Sequence, residues 1–194
     1  HQYDPFDAAH GGPVLWNHLT TKDFVTYENR GPVLFPDSDL DSSGAYSGSA
    51  FVHDGKIHYF YTGNVKHFDR DDYDYVLTGR EQNQIHVVAE NPDELGEKRM
   101  AVGPVDYPDD IGTHVRDPKI LEHDGIYYMV LGARTKDDRG CVLVYTSSDL
   151  EDWSYATRIE LGEKFGFMWE CPDLFELDGE LILVCCPQGV SADG

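Results

Sequence analysis

The sequence predicts an all-β protein of the β-propeller type, in which small antiparallel sheets called blades follow one another around an axis. Three observations support this prediction: a strand–turn–strand unit recurs along the chain, its second strand is apolar, and no segment shows a convincing helical period. Repeated small antiparallel sheets are typical of propeller blades.

The recurring unit is a hairpin built around an Asp-Gly pair. It occurs at Phe51–Thr62, at Ile120–Leu131 and at Leu174–Cys185. Asp-Gly suits a two-residue hairpin turn, because glycine tolerates positive φ and aspartate tolerates it better than most residues. The second strand of each hairpin is almost continuously apolar, which indicates burial on both faces.

A second repeat lies outside the hairpins. Thr20–Tyr27 echoes Thr146–Trp153, and each segment follows a short apolar strand. The acidic stretch 68–74 and the Pro/Gly-rich stretch 103–112 are predicted loops. The segment Asn91–Met100 is the one place where we expect a helical turn.

The composition restricts the possible partners of the protein. The chain has 36 acidic and 15 basic residues, which gives a formal net charge of −21. Such a surface repels phosphate backbones and anionic lipids, so we expect neither a nucleic acid nor a membrane as partner. It favours a neutral ligand such as a small saccharide, although a local basic pocket is still compatible with a phosphate group. The sequence does not indicate an oligomeric state.

No pattern in the sequence indicates a metal or a cofactor. The chain has four cysteines, Cys141, Cys171, Cys185 and Cys186. Their spacing fits neither a zinc site nor a disulfide framework, so we interpret them as reduced, buried thiols of an intracellular protein. The acidic segment that starts at Asp37 begins like a calcium-binding loop but lacks the glycine and the glutamate that such a loop requires.

Three polar motifs interrupt the apolar pattern at equivalent positions, each just before a hairpin. They are Ala45-Tyr-Ser-Gly-Ser-Ala50, Val115-Arg-Asp-Pro-Lys119 and Met168-Trp-Glu-Cys-Pro-Asp173. A propeller forms its ligand site on its axis from residues that successive blades supply. We therefore expect these motifs to meet at one site.

Two carboxylates in these motifs suggest the chemistry of the site. Glu170 is flanked by a tryptophan, a cysteine and a proline, and such poorly hydrated surroundings disfavour the ionised form and suit a general acid. Together with Asp117 it fits glycosidic cleavage, which needs an acid on the leaving oxygen and an anion near an oxocarbenium-like centre. Trp16 and Tyr46 offer apolar faces for a sugar ring. A plain salt bridge of Asp117 with Arg116, or a solvated Glu170 at a strand end, stays open as an alternative.

Taken together, the motifs resemble glycoside hydrolase family 32, the group of invertases, sucrose-6-phosphate hydrolases, inulinases and levanases. Arg116–Pro118 is similar to the Arg-Asp-Pro motif of the family, and Glu170–Cys171 to its Glu-Cys motif. Tyr46–Ala50 resembles the Trp/Phe-Ser-Gly-Ser-Ala element. Gln2–Pro5 resembles the Gln-Tyr-Asn-Pro stretch, and Trp16–His18 resembles Trp-Gly-His. The resemblance covers essentially the whole chain and follows the order of the family.

The resemblance implies a five-bladed propeller followed by a β-sandwich, and a retaining hydrolysis of terminal β-D-fructofuranosides such as sucrose or sucrose-6-phosphate. It implies that Glu170 is the general acid/base, that Asp117 stabilises the transition state through the fructosyl hydroxyls, and that Arg116 tunes the acid/base. The residues that it places in the substrate subsite are Gln2, Trp16, Tyr46, Ser47 and Arg116.

One departure from the family concerns the nucleophile. The family carries it in an Asn-Asp-Pro-Asn-Gly motif that precedes the Gln-Tyr-Asn-Pro stretch, and this motif does not occur here. Asp4 aligns with a loop residue of the family, so we do not interpret it as the nucleophile. We expect residues 1–194 to be a partial propeller domain, truncated at both ends, with about three to four blades and no β-sandwich. Alone, it should be inactive and poorly soluble.

Two other functions stay open on the sequence alone. One is an arabinanase or xylosidase-type propeller hydrolase, and the other is a carbohydrate-binding propeller without catalysis. The sequence does not distinguish sucrose, sucrose-6-phosphate and short fructans as substrates. The acidity and the lack of Asn-x-Ser/Thr sites favour a cytoplasmic, bacterial protein, while secretion stays open because we expect the natural N-terminus to be missing.

Overall fold

A computed structural model of the protein describes residues 1–5 and 12–191. These residues form fourteen β-strands in four antiparallel sheets, together with one short 3₁₀ turn at Pro104–Asp106. In the described part of the chain, no helix is long and apolar enough to cross a membrane.

Within each sheet the strands lie in chain order, except for the last strand of the second sheet. The first sheet contains β1 (Gln2–Tyr3), β2 (Leu15–Thr21) and β3 (Tyr27–Leu34). The second contains β4 (Ala45–His53), β5 (Lys56–Lys66), β6 (Arg80–Asn91), β7 (Glu94–Leu95) and β8 (Arg99–Val102). In this sheet β8 pairs with β6 and not with β7. The third contains β9 (Ile111–His123), β10 (Ile126–Thr135), β11 (Gly140–Ser147) and β12 (Ser154–Ile159). The fourth contains β13 (Met168–Leu177) and β14 (Glu180–Gln188).

The sheets are arranged as consecutive propeller blades. The first strands of neighbouring sheets contact one another, β1 against β4, β4 against β9 and β9 against β13. Apolar clusters fill the spaces between successive sheets. The prediction of an all-β propeller is confirmed, and four blades are represented in the described residues.

The three Asp-Gly hairpins are confirmed. Asp54, Asp124 and Asp178 have φ values of 49°, 52° and 53°, and the glycine after each has a φ between 75° and 82°. Positive φ at both central residues is the conformation that a tight two-residue hairpin requires. The hairpins connect β4 to β5, β9 to β10 and β13 to β14.

The second sequence repeat corresponds to one hydrogen-bonded turn that occurs twice. The hydroxyls of Thr21 and Ser147 each accept the backbone N–H of the residue three positions further on, at 2.9 and 3.0 Å. The carboxylates of Asp23 and Asp149 each accept the backbone N–H groups two and three positions further on. The echo in sequence therefore encodes the same turn in the first and the third sheet.

The predicted burial of the second hairpin strands is correct for two hairpins and wrong for the third. Phe60 on β5 and Met129 on β10 have no exposed surface, because another sheet covers each face of their own sheet. On β14, in contrast, Leu181 and Val184 are about half exposed. Within the described residues β14 pairs with β13 alone, and no further sheet covers its outer face.

The predicted helical turn in Asn91–Met100 is wrong. This segment contains β7 and the start of β8, and both strands pair with β6. Backbone pairing to a long buried strand outweighs the weak local preference for a turn of helix. The stretch 68–74 is a loop as predicted, and the stretch 103–112 is a loop up to the start of β9 at Ile111.

The prediction that all four cysteines are buried is wrong for Cys171 and Cys186. All four are free thiols, and Cys141 is buried in the third sheet. Cys171 and Cys186 lie on the fourth sheet, which is covered only in part by the described residues, and both are exposed.

The third and fourth sheets meet at Trp169. Trp169 is 4% exposed; its backbone lies against Gly132 on β10 and its indole against Gly140 on β11. A Cβ atom at Gly132 would lie 2.0 Å from the Trp169 carbonyl oxygen, and one at Gly140 would lie 2.3 Å from the indole ring. These glycines therefore allow β13, which carries Glu170, to approach the third sheet closely.

Replacement of Gly132 by alanine should destabilise the protein. The new methyl group collides with backbone, which cannot move aside like a flexible side chain, so we expect a loss of about 1–3 kcal/mol in the free energy of unfolding. Urea unfolding of Gly132→Ala beside Gly162→Ala measures this loss, because a Cβ atom at Gly162 meets no atom within 4 Å. Equal stability of the two variants would contradict the close approach of the blades.

A buried histidine pair lies between the second and third sheets. His86 stacks on Phe60 with ring centres 4.3 Å apart, and its Nε2 is 2.9 Å from Nδ1 of His58. Burial lowers the pKa of His86 to about 4, and the neighbouring His58 and Arg99 act in the same direction. Glu151 lies 4.0 Å from the other ring nitrogen of His86.

The protein should lose stability as the pH falls from the ordinary histidine range towards 4. In the unfolded chain His86 takes up a proton near its ordinary pKa, whereas in the folded protein it stays neutral down to about pH 4. Neutral His86 therefore contributes fully to the stability of the fold above its pKa in the unfolded chain. This contribution is lost as the pH falls from that pKa to the pKa in the folded protein. Unfolding free energies measured from pH 7 to pH 4 should decline less steeply for His86→Gln than for the wild type. The surface variant His123→Gln is the control, and an unchanged slope in His86→Gln would disprove the assignment.

Candidate active site

A cavity of about 340 Å³ lies where the first strands of the sheets come together. All four sheets contribute to its wall. The residues that line it are Gln2, Gly12, Val14, Tyr46, Ser47, Lys66, Tyr75, Arg80, Arg116, Asp117, Glu170, Cys171 and Gln188.

The three polar motifs of the sequence form the same backbone irregularity in three successive sheets. On β4, β9 and β13 a bulge places two residues opposite a single residue of the neighbouring strand. The bulged pairs are Tyr46-Ser47, Asp117-Pro118 and Cys171-Pro172. A β-bulge interrupts pairing and redirects side chains, which is why such bulges are common beside active sites. Here each bulge brings its motif to the cavity wall.

Asp117 is fixed by hydrogen bonds to the sheets on either side of its own. Its backbone N–H donates to Oγ1 of Thr62 at 2.9 Å, and Thr62 in turn donates to Oε1 of the buried Gln84 at 2.8 Å. Its carboxylate Oδ2 accepts the backbone N–H of Cys171 at 2.8 Å. Burial raises the pKa of Asp117, while the bond from Cys171 and the charge of Arg116 act in the opposite direction.

Arg116 connects the two carboxylates of the site. Its Nη2 and Nε lie 2.7 and 3.2 Å from Oε1 of Glu170, and its Nε lies 4.0 Å from Oδ2 of Asp117. The other oxygen of Glu170, Oε2, accepts a hydrogen bond of 2.7 Å from the side-chain amide of Gln188. The close partner of Arg116 is therefore Glu170 and not Asp117. The sequence had left open a plain salt bridge between the neighbouring residues Arg116 and Asp117, and at 4.0 Å this contact is the weaker one. A partly buried glutamate that is held at both oxygens has a defined orientation towards the cavity.

The structure brings most of the predicted site residues to the cavity, but not Trp16. Gln2, Tyr46 and Ser47 line it together with the charged residues of the two other motifs. Trp16 lies outside the lining; its indole N–H donates to the backbone carbonyl of Tyr46 at 2.7 Å. Its ring packs edge-on against Tyr61. Trp16 thus supports a residue of the wall, and a direct contact with a sugar stays a prediction.

Among the lining residues that the reasoning from sequence missed, four have side chains suited to bind a polar ligand: Lys66, Tyr75, Arg80 and Gln188. Lys66 and Arg80 occupy the end of β5 and the start of β6, and basic residues at adjacent strand ends in such an acidic chain were a usable signal. Gln188 lies opposite Met168 in the β13–β14 pair, so the hairpin register places it near Glu170. Tyr75 comes from an irregular loop and had no such signal.

The site holds no arrangement suited to a metal ion. Within residues 1–5 and 12–191, no group of three or more histidine, cysteine, aspartate or glutamate side chains is placed to bind one. The polar groups of the cavity are instead two carboxylates, three cations and several amide or hydroxyl groups. This combination suits hydrogen bonding to a polyhydroxylated ligand and proton transfer by a carboxyl group.

Comparison with known proteins agrees with this geometry. The family model for the glycosyl hydrolases family 32 N-terminal domain matches residues 1–194. The sucrose-6-phosphate hydrolase of Bacillus subtilis is 37% identical over 198 residues, which cover 100% of this chain and 39% of the relative. The structure of sucrose-6-phosphate hydrolase from Lactobacillus gasseri is similar with a TM-score of 0.85 and 35% identity, over 99% of this chain and 38% of that one.

A structure with a bound sugar is also similar. A mutant of the family 32 β-fructofuranosidase of Bombyx mori in complex with sucrose matches with a TM-score of 0.80 and 32% identity, over 100% of this chain and 39% of that one. The chain therefore spans about two fifths of the length of the relatives that it matches.

Replacement of Asp117 by asparagine should raise stability at neutral pH and lower activity. The amide oxygen can still accept the N–H of Cys171, while the cost of a buried negative charge disappears. Burial raises the pKa of Asp117 in the folded protein. The cost in stability is therefore complete at a pH above this raised pKa, and it is absent at a pH below the pKa of the same group in the unfolded chain. The gain in melting temperature should therefore shrink as the pH is lowered.

Thermal unfolding between pH 4 and pH 7.5 measures the gain, with the exposed Asp71→Asn as the control for a lost surface charge. A lower melting temperature for Asp117→Asn at pH 7.5 would mean that the attraction to Arg116 outweighs the cost of burial.

Proposed function

The chain belongs to glycosyl hydrolase family 32, and we propose that the protein hydrolyses terminal β-D-fructofuranosyl bonds, as in sucrose or sucrose-6-phosphate, with retention of configuration. The observation that carries the proposal is the placement of Asp117 and Glu170 in one cavity, where Arg116 lies between them. Glycosidic cleavage needs a carboxylic acid at the leaving oxygen and anionic groups beside the oxocarbenium-like centre, and Glu170 and Asp117 fit these two needs.

In this proposal Glu170 is the general acid/base. As an acid it gives a proton to the glycosidic oxygen as the bond to the leaving sugar breaks, and as a base it then takes a proton from the attacking water. Arg116 and Gln188 each bond to one of its oxygens and so keep the carboxyl group in position between the two steps. The positive charge of Arg116 also stabilises the carboxylate that remains after the proton has left.

Asp117 takes a different role because of its surroundings. Its carboxylate is almost completely buried and fixed by the N–H of Cys171, so it is suited to accept hydrogen bonds from sugar hydroxyls. An anion in this position also stabilises the positive charge that develops on the fructosyl ring in the transition state. The nucleophile of the proposed double displacement is a third carboxylate, distinct from both of these residues.

The wall around the two carboxylates suits a small sugar. Gln2, Tyr46 and Ser47 provide an amide and hydroxyl groups for the sugar hydroxyls, and the Tyr46 ring provides an apolar face. The relatives support sucrose and its 6-phosphate as substrates, since they include sucrose-6-phosphate hydrolases. An arabinanase or xylosidase-type hydrolase, or a protein that binds sugar without catalysis, would release no fructose in the assay that follows.

Replacement of Glu170 by glutamine in the full-length protein should reduce kcat by at least about two orders of magnitude, the scale of general acid–base catalysis. Fructose release from sucrose and from sucrose-6-phosphate is the measurement. Glu176→Gln is a matched control, because it makes the same change on the same strand at an exposed position.

The two possible failures of this experiment differ in meaning. A Glu170→Gln protein with full activity would refute the acid/base assignment. A wild-type protein that releases no fructose from either substrate would refute the proposed function itself.

A further inference from the structure

The cavity contains more positive charge than its two carboxylates require. Of its three cations, Arg116 is paired with Glu170 at 2.7 Å. Lys66 and Arg80 form no ion pair with any carboxylate in the described part of the chain. Unpaired cations are unexpected here, because acidic residues outnumber basic ones by 36 to 15.

The two unpaired cations are direct neighbours across a strand pair. Lys66, the last residue of β5, lies opposite Arg80, the first residue of β6. Like charges at directly opposite positions destabilise a sheet. The contacts that the structure gives these two charges are aromatic, Lys66 with Phe68 and Arg80 with Tyr75. A local rule that is broken without a compensating opposite charge indicates a functional site.

Arg80 is held in a way that leaves it available for a ligand. Its guanidinium carbon lies 4.4 Å from the centre of the Tyr75 ring, so one face of the group is covered by the aromatic ring. Stacking leaves the N–H groups at the edge of the guanidinium plane free to donate. The Nε atom is buried and has no hydrogen-bond acceptor among the described residues, which is costly unless a ligand supplies one.

The two carboxylates of the cavity are held by other partners, Glu170 by Arg116 and Asp117 by the N–H of Cys171. His114 contacts both Tyr75 and Arg116 and brings no negative charge. Tyr46 is a weak acid in the same wall, and burial raises the pKa of its hydroxyl, so it stays neutral. The positive charge of Lys66 and Arg80 is therefore directed at whatever occupies the cavity.

We propose that Lys66 and Arg80 bind the phosphate group of a phosphorylated sugar substrate and so make the protein prefer sucrose-6-phosphate to sucrose. A phosphate monoester carries close to two negative charges at neutral pH, which two adjacent cations match. The planar fork of arginine suits phosphate oxygens, and lysine adds a point charge beside it. A neutral sugar would gain little from this pair. The inference rests on the proposed function, because the phosphate is placed in the same cavity as the scissile bond.

A competing explanation is that the two cations only balance the charge of the catalytic carboxylates. The two explanations differ in one measurable quantity, the ratio of kcat/KM for sucrose-6-phosphate to kcat/KM for sucrose. Phosphate binding predicts that loss of either cation lowers this ratio. Charge balance predicts that both substrates suffer equally and that the ratio is unchanged.

The experiment measures this ratio for the full-length wild type, Lys66→Met, Arg80→Gln and the control Lys22→Met. Lys22 is exposed and does not line the cavity, so its replacement changes the net charge alone. We expect a ratio well above one in the wild type and in the control. In each cavity variant the ratio should fall by about tenfold or more, the scale of one lost charge-assisted hydrogen bond.

A measurement on the wild type makes the test independent of the folding of the variants. Glucose 6-phosphate should inhibit sucrose hydrolysis at a concentration at least about tenfold lower than glucose, since it supplies the phosphate that the pair binds. Lys66→Met should also retain its melting temperature, because it removes a contact between like charges.

The outcomes separate the two proposals. A wild type that hydrolyses sucrose and shows equal inhibition by glucose and glucose 6-phosphate would overturn the phosphate site and leave the proposed function intact. An unchanged ratio in both cavity variants would do the same. A wild type that hydrolyses neither substrate would overturn the proposed function and with it the phosphate site.

Discussion

The geometry of the candidate site depends on the hydrogen bonds that fix Asp117 between three sheets. Its N–H reaches Thr62 in the second sheet, and its carboxylate reaches the N–H of Cys171 in the fourth. Cys171 follows Glu170, so the same bond that orients Asp117 also sets the distance to the second carboxylate. The polar centre of the cavity is thus part of the contact between blades, and a shift of the third or the fourth sheet would change the distance between the two carboxylates.

This arrangement has a cost that the rest of the fold must offset. Asp117 and Cys171 have φ values of 65° and 47°, a region that side chains other than glycine seldom adopt. A buried carboxylate and two opposed cations add to the cost. The apolar contacts between blades provide the compensation, with residues such as Met129 and Trp169 almost completely removed from water. Strain of this kind is retained where the surrounding structure enforces it, which is usual at functional sites.

Reasoning from sequence succeeded where a short local pattern fixes the backbone conformation. It failed where contacts between distant parts of the chain determine which side chains pair. The Asp-Gly turns follow from the conformations open to two residues, and the polar motifs stood out because they interrupted apolar strands. The pairing of Arg116 with Glu170, 54 positions away, was not visible in this way, nor was the role of Gln188. Trp16 has a flat aromatic side chain of the kind on which sugars stack, but its indole N–H donates a hydrogen bond to the backbone of Tyr46. Such assignments depend on strand register and bulges, which composition does not determine.

The cavity has two electrostatic parts, to which the proposals assign separate tasks. Around Glu170 and Asp117, each negative charge has a fixed partner, as proton transfer and charge stabilisation require a preorganised site. Around Lys66 and Arg80 the charge has aromatic neighbours but no carboxylate partner in the described chain, as recognition of an anion requires. The first part is built on the bulges of β9 and β13, and the second on the paired ends of β5 and β6. Because the two parts rest on different strand pairs, we expect substitutions at the β5–β6 end to change the choice of sugar without moving Asp117 and Glu170, the proposed catalytic residues.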